Sequence, residues 1–162
     1  MAVIFAKTVA ILAIKECECM NANAELLNFV YQNSQMGVAT IEHLKDIVKD
    51  EEFKKQLDYQ FNEYKNFHEE AKAMLNRNGY DEKGIGTFDK IKTYLMINME
   101  TLTDKSASHI AEMLIIGSNM GIIDAIKNIR KYKDDAEADI LDLMQRLLKF
   151  EEKNVEKLKN YL

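Results

Sequence analysis

The chain has 162 residues, enough for one domain of ordinary size and too few for two. Hydrophobic residues make up 47% and charged residues 30%, a balance that excludes an intrinsically disordered chain. The net charge of −5 argues against a nucleic-acid partner, because phosphate binding needs a basic surface. Proline is absent, where average usage would give about eight in this length. Such a chain suits long uninterrupted helices, which an interior proline would break.

Residues 1–19, MAVIFAKTVAILAIKECEC, are the one stretch that resembles a targeting segment. Lys7 splits the apolar run and leaves Thr8 to Ile14, far too short to span a bilayer. No small-residue cleavage pattern follows, because Lys15 and Glu16 come next. A membrane partner is therefore not expected, and a cytoplasmic location is. Lys15-Glu16 can be encoded AAG-GAG, a bacterial ribosome-binding site, with three codons between it and Met20. On that reading Met20 is the start of the protein, and residues 1–19 are a translated leader or a disordered extension. Both cysteines, Cys17 and Cys19, fall in that segment, so disulfide and thiol chemistry drop out with it.

From Met20 the apolar spacing is helical. A first helix over 24–49, capped by Asn21 or Asn23, carries Leu27, Val30, Val38, Ile41, Leu44 and Val48. Asp50 caps a second over 51–78, with Glu51 and Glu52 in its first turn and Gly79 closing it. Its apolar face runs Phe53, Leu57, Tyr64, Phe67, Ala71 and Met74. Residues 79–86 form a glycine-rich loop, and Thr87 caps a shorter helix over 88–103 carrying Phe88, Ile91, Leu95, Met99 and Leu102.

Thr103-Asp104 breaks the chain before a helix over 104–132, with Ile110, Met113, Leu114, Met120, Ile122, Ala125 and Ile129. Asp134 or Asp135 caps the last helix, over 135–161. Its seam reads 137, 141, 144, 148, 151, 155, 158 and 162, broadened by Ile140, Leu147 and Tyr161. Exposed pairs such as Glu51/Lys55 and Asp142/Arg146 have i,i+4 spacing.

The two short connections predict antiparallel hairpins. The 88–103 helix is long enough, about 24 Å, to carry the chain from one end of a bundle to the other. The expected fold is all-α: a ferritin-like four-helix bundle with an extra crossover helix, a single domain over 20–162, with a five-helix up-down array as the alternative.

The segments YQNSQMGVATIEHL, SHIAEMLIIGSNMGIIDAIKNI and LLKFEEKNVEKLKNYL resemble an uncharacterised bacterial family with a ferritin-like helical bundle. The resemblance covers Met20 to Leu162 and centres on His109–Ile123. It implies the fold and the Met20 start, and no activity comes with it.

A ferritin-like di-metal centre needs Glu-x-x-His on each of two helices and a carboxylate from each of the others. No Glu-x-x-His occurs: Lys65 precedes His68, Ser106 precedes His109 and Thr40 precedes His43 at that spacing. The nearest analogue is Glu151-x-x-Asn154, and Asn33 stands where the first helix would offer glutamate. His109-x-x-Glu112 is the reverse motif, suited to hydrogen bonding at the surface or core edge. His68 reads as a partly buried histidine at the seam's edge. Glu151, in an apolar stripe, needs a partner such as Lys or His, or a place at the rim.

Aligning the helices by their ends puts the usual ligand layer at Asn33 and Ser34, Tyr64 and His68, Gly117–Gly121, and Met144–Leu148. That layer holds no inward carboxylate, with Glu42, Glu63, Glu112 and Glu151 one to three turns away. No catalytic, cofactor-binding or metal-ligating residue is therefore assigned. The competing reading is a divergent di-metal oxidoreductase, using iron or manganese on Glu63, His68, His109, Glu112 and Glu151.

Gly117 and Gly121 lie four apart inside a helix, which suits close packing rather than a phosphate loop. Ser106 and Ser108 near His109 lack the geometry of a nucleophile. Met96, Met99, Met113, Met120 and Met144, with the broad apolar stripes, support ordinary core or self-association. The sequence thus points to a non-catalytic binding or structural bundle, self-associating as a homodimer.

Overall fold

The computed structural model describes residues 2–83, 93, 95, 96 and 103–162, with side chains from Ala22 onward. Four helices carry the chain: α1 (Ala2–Lys45), α2 (Glu51–Arg77), α3 (Ala107–Tyr132) and α4 (Ala138–Leu158), the last continued by a 3₁₀ turn over Lys159–Tyr161. No strand occurs among the described residues, so the all-α expectation holds. The expected crossover helix lies largely outside them; Thr93, Leu95 and Met96 are helical.

Local signals account for most of the helix ends. The Asp50 carboxylate accepts a 2.7 Å hydrogen bond from the Phe53 amide, capping α2. Gly79 follows α2 at φ +68°, a conformation that costs glycine nothing. Ser106 caps α3 through the His109 amide, three residues beyond the expected start, and Asp104 accepts from the Ser106 amide.

Two termini differ from expectation. The α1 backbone is helical from Ala2, running straight through residues 2–19 and past the expected caps Asn21 and Asn23. Asn23 instead pairs with Glu137: its amide nitrogen donates to the Glu137 carboxylate at 2.9 Å, and its oxygen accepts from the Glu137 amide at 2.8 Å. Glu137 thereby becomes the N-cap position of α4, displacing Asp134 and Asp135.

Pairwise contacts fix the helix directions. Lys45 meets Asp58 at 2.7 Å and the Tyr31 ring stacks on His68, so α1 and α2 are antiparallel. Arg77 meets Asp139 and Tyr161 stacks on Phe53, so α2 and α4 are antiparallel too. The five-residue turn to α4 leaves α3 parallel to α2. A parallel α2/α3 pair is what the expected crossover connection requires.

The core runs the whole length. Leu26, Leu27, Ala71, Leu75, Ile140 and Leu143 are buried towards one end, and Leu44, Val48, Phe53, Leu57 and Leu158 towards the other. The α2 stripe is buried as its spacing predicts. On α4 the face is rotated: Ile140, Leu143, Met144, Leu147, Phe150, Glu151, Asn154, Val155 and Leu158 are buried, while Glu137 and Leu162 of the expected seam are exposed. Alternating steps of four and three describe a 3.5-residue seam, and a straight helix drifts from it towards the flanking positions.

Candidate functional site

Towards the middle of the core lies a polar layer that several helices build together. Asn33 on α1, Gln60 and Tyr64 on α2, and Glu151 and Asn154 on α4 are all buried there. The Ser118 hydroxyl on α3 also lies beside the Glu151 carboxylate. Glu151 is 3% exposed, and its Oε1 accepts two hydrogen bonds, from Asn33 Nδ2 at 2.8 Å and from the Tyr64 hydroxyl at 2.9 Å.

Three glycines make this convergence sterically possible. A Cβ on Gly37 would lie 2.6 Å from the Tyr64 ring, so only a bare backbone admits that ring against α1. A Cβ on Gly121 would come within 3.2 Å of the Asn33 side-chain oxygen, and one on Gly117 equally close to Leu95. The close-packing reading of Gly117 and Gly121 is thus correct. On α4, Phe150 meets the Tyr64 ring edge-on at a centroid distance of 5.0 Å and bears on Phe67, which steadies Tyr64 from the other side.

The electrostatics follow from burial. Loss of water pushes the Glu151 carboxyl above its ordinary value, and the Asn33, Tyr64 and Ser118 donors pull it part of the way back. Burial and then the Glu151 charge push the Tyr64 hydroxyl well above the usual phenol range. Tyr64 is therefore a committed proton donor to Glu151. Among the described residues no Lys, Arg or His lines the cavity beside the carboxylate, and the two groups that hydrogen-bond it, Asn33 and Tyr64, are neutral.

That cavity, of about 30 Å³, is walled by Asn33, Thr40, Gln60, Tyr64, Ser118 and Glu151 on its polar side. Met36, Gly37, Ile41, Leu95, Leu114 and Gly117 complete it. Among the described residues, four buried side-chain atoms of the layer have no hydrogen-bond partner: Glu151 Oε2, Gln60 Nε2, and both polar atoms of Asn154.

These positions correct the expected ligand layer. Asn33, Tyr64 and Gly117–Gly121 do converge, but α4 contributes Glu151 rather than Met144–Leu148, so the layer contains an inward carboxylate. Tyr161 stacked on Phe53 and Arg77 paired with Asp139 set α4 about one turn away from the register that matching helix ends implies. The partner expected for Glu151, a Lys or His or else the rim, is also corrected: Asn33 and Tyr64 fill that role in the middle of the core.

The remaining candidates stand apart. His68 is half-buried, its ring stacked on Tyr31 at 4.3 Å and its Nδ1 3.2 Å from the Tyr31 carbonyl oxygen. His109 sits in the first turn of α3, with Nδ1 3.9 Å from Glu112 at the surface. Glu63 is half-buried on α2. Among the described residues, no three His, Cys, Asp or Glu side chains come together as a metal site.

Gln60 and Gly37 belong to the site without having been singled out in the sequence. Gln60 falls on the apolar face of α2 between Leu57 and Tyr64, a buried polar residue by spacing alone. Gly37 interrupts α1, where glycine costs about 1 kcal/mol against alanine and so signals a packing need. Compared with protein-family models, curated proteins and solved structures, the chain matches none of them.

Proposed function

We propose that this chain is a non-catalytic ferritin-like bundle of the bacterial cytoplasm, a binding or structural protein whose central layer is a degenerate metal centre. The observation that supports it is the Glu151 carboxylate held by Asn33 and Tyr64. Two divalent cations in a low-dielectric core need several anionic ligands. Among the described residues the layer offers one carboxylate with amides, a phenol and a hydroxyl, which does not supply them. Iron and manganese should accordingly be substoichiometric in protein purified from its native host. Two equivalents per chain, lost on Glu151→Gln, would establish the di-metal oxidoreductase instead.

Self-association belongs to the same proposal. α3 is apolar enough to be bilayer-compatible by composition, yet only 39% of its most apolar stretch is buried. Ile116 and Ile123 are exposed two turns apart, with Met120 half-buried between them. A second copy, packed on this face, makes the homodimer. Sedimentation equilibrium should show a dimer at high micromolar concentration, and monomer alone would remove it.

A further inference from the structure

Two residues of the cavity wall each carry an unpartnered buried atom, and the two atoms have opposite needs. Glu151 Oε2 is an acceptor on a residue 3% exposed, and Gln60 Nε2 is a donor on a residue 2% exposed. Both residues line the same cavity of about 30 Å³. Leaving either atom unmatched costs free energy, because each has given up water without gaining a bond. A cation would match the carboxylate and leave the amide N–H unmatched. An anion would match the amide and meet the carboxylate with repulsion. A group that donates and accepts at one oxygen answers both.

We propose that this cavity is a binding site for a hydroxyl group, whose O–H donates to Glu151 Oε2 while its oxygen accepts from Gln60 Nε2. The size agrees, since a hydroxyl-bearing occupant of one or two heavy atoms needs roughly the volume of one or two waters. Thr40 and Ser118, which also wall the cavity, offer a further donor and acceptor. The match survives a change of charge on Glu151, because a hydroxyl oxygen has a second lone pair to accept from a protonated carboxyl. Two sources supply this chemistry: an internal water, or an alcohol as small as methanol whose methyl group faces the apolar wall of Met36, Ile41, Leu95 and Leu114. The proposal rests on the reading of the core as a centre without resident metal.

Nuclear magnetic resonance on the full labelled chain tests it. The Gln60 side-chain amide protons should show cross-relaxation with a long-lived water. A methanol titration then separates the sources, with methylammonium as the cation of matched size. Saturable shifts of the Gln60 amide and the Ile41 and Leu114 methyls, with loss of the water cross-peak, identify the alcohol. A water cross-peak that methanol leaves untouched identifies water. In Gln60→Met the water cross-peaks of neighbouring side chains should vanish and alcohol binding weaken about tenfold, the effect of one lost hydrogen bond. Absence of both water contact and alcohol shifts in the wild-type chain overturns the proposal, as does preferential binding of methylammonium. Equimolar manganese that broadens the Tyr64 and Glu151 signals would overturn the metal-free reading instead, a result distinct from either.

Discussion

Where α2 begins, Phe53, Leu57, Leu44 and Leu158 meet with no side-chain polar atom among them, and each is 0% exposed. Two to three turns further along α2, Gln60 and Tyr64 face Asn33, Glu151 and Asn154, which are buried too. The first layer is stabilised by removal of apolar surface from water, about 25 cal/mol per Å². The second exchanges water for hydrogen bonds, and several of its atoms have no protein partner. The difference teaches that the apolar layers carry stability, while the middle layer holds buried polar atoms at a cost. Replacing buried polar networks with packed apolar residues is often neutral or stabilising.

The largest break of this contrast should come at Phe53. Phe53→Ala removes a fully buried ring and its stacking with Tyr161, and should lower unfolding free energy by about 3–5 kcal/mol in urea titration. A loss below about 1 kcal/mol would mean that the apolar end does not dominate. A smaller effect should appear at Gly37. Gly37→Ala gains helix propensity but drives a methyl into the Tyr64 ring, with a net loss of about 1–3 kcal/mol. It should also disturb the Tyr64 hydroxyl signal, which Phe53→Ala should leave in place.

Much of the fold was legible because its signals are local. Asp50 followed by two acids, Gly79 after α2, and the Phe53-to-Met74 stripe depend on neighbours within a few residues. The Arg146–Asp142 contact at 2.9 Å is equally local, whereas Lys55 chose Glu52 over Glu51, three residues away rather than four. The candidate site was legible only in part. Asn33, Tyr64 and Gly117–Gly121 were placed in one layer, and the analogy of Glu151-x-x-Asn154 to a ligand pair was visible. Its register was not, because the slide of α4 is set by Tyr161 on Phe53 and Glu137 on Asn23, contacts more than a hundred residues apart. The α4 seam holds at Met144, Glu151, Val155 and Leu158 and misses Leu143, Phe150 and Asn154 for a related reason: an idealised 3.5 repeat departs from the helix's own 3.6.

The most direct test of the account is the pH dependence of stability in the wild type against Glu151→Gln. The central claim is a buried carboxyl with neutral partners, whose pKa burial raises above 4.5. A folded-state pKa above the unfolded one means that the native chain binds this proton more tightly. That stabilisation is complete below the unfolded value and is lost as pH rises through the raised folded value. Urea unfolding from pH 7 downward should therefore show the wild type gaining on Glu151→Gln as pH falls towards the ordinary carboxylate range. A wild type that instead loses ground to the variant on acidification would reveal a depressed pKa, a carboxylate compensated by a cation, and would contradict the account.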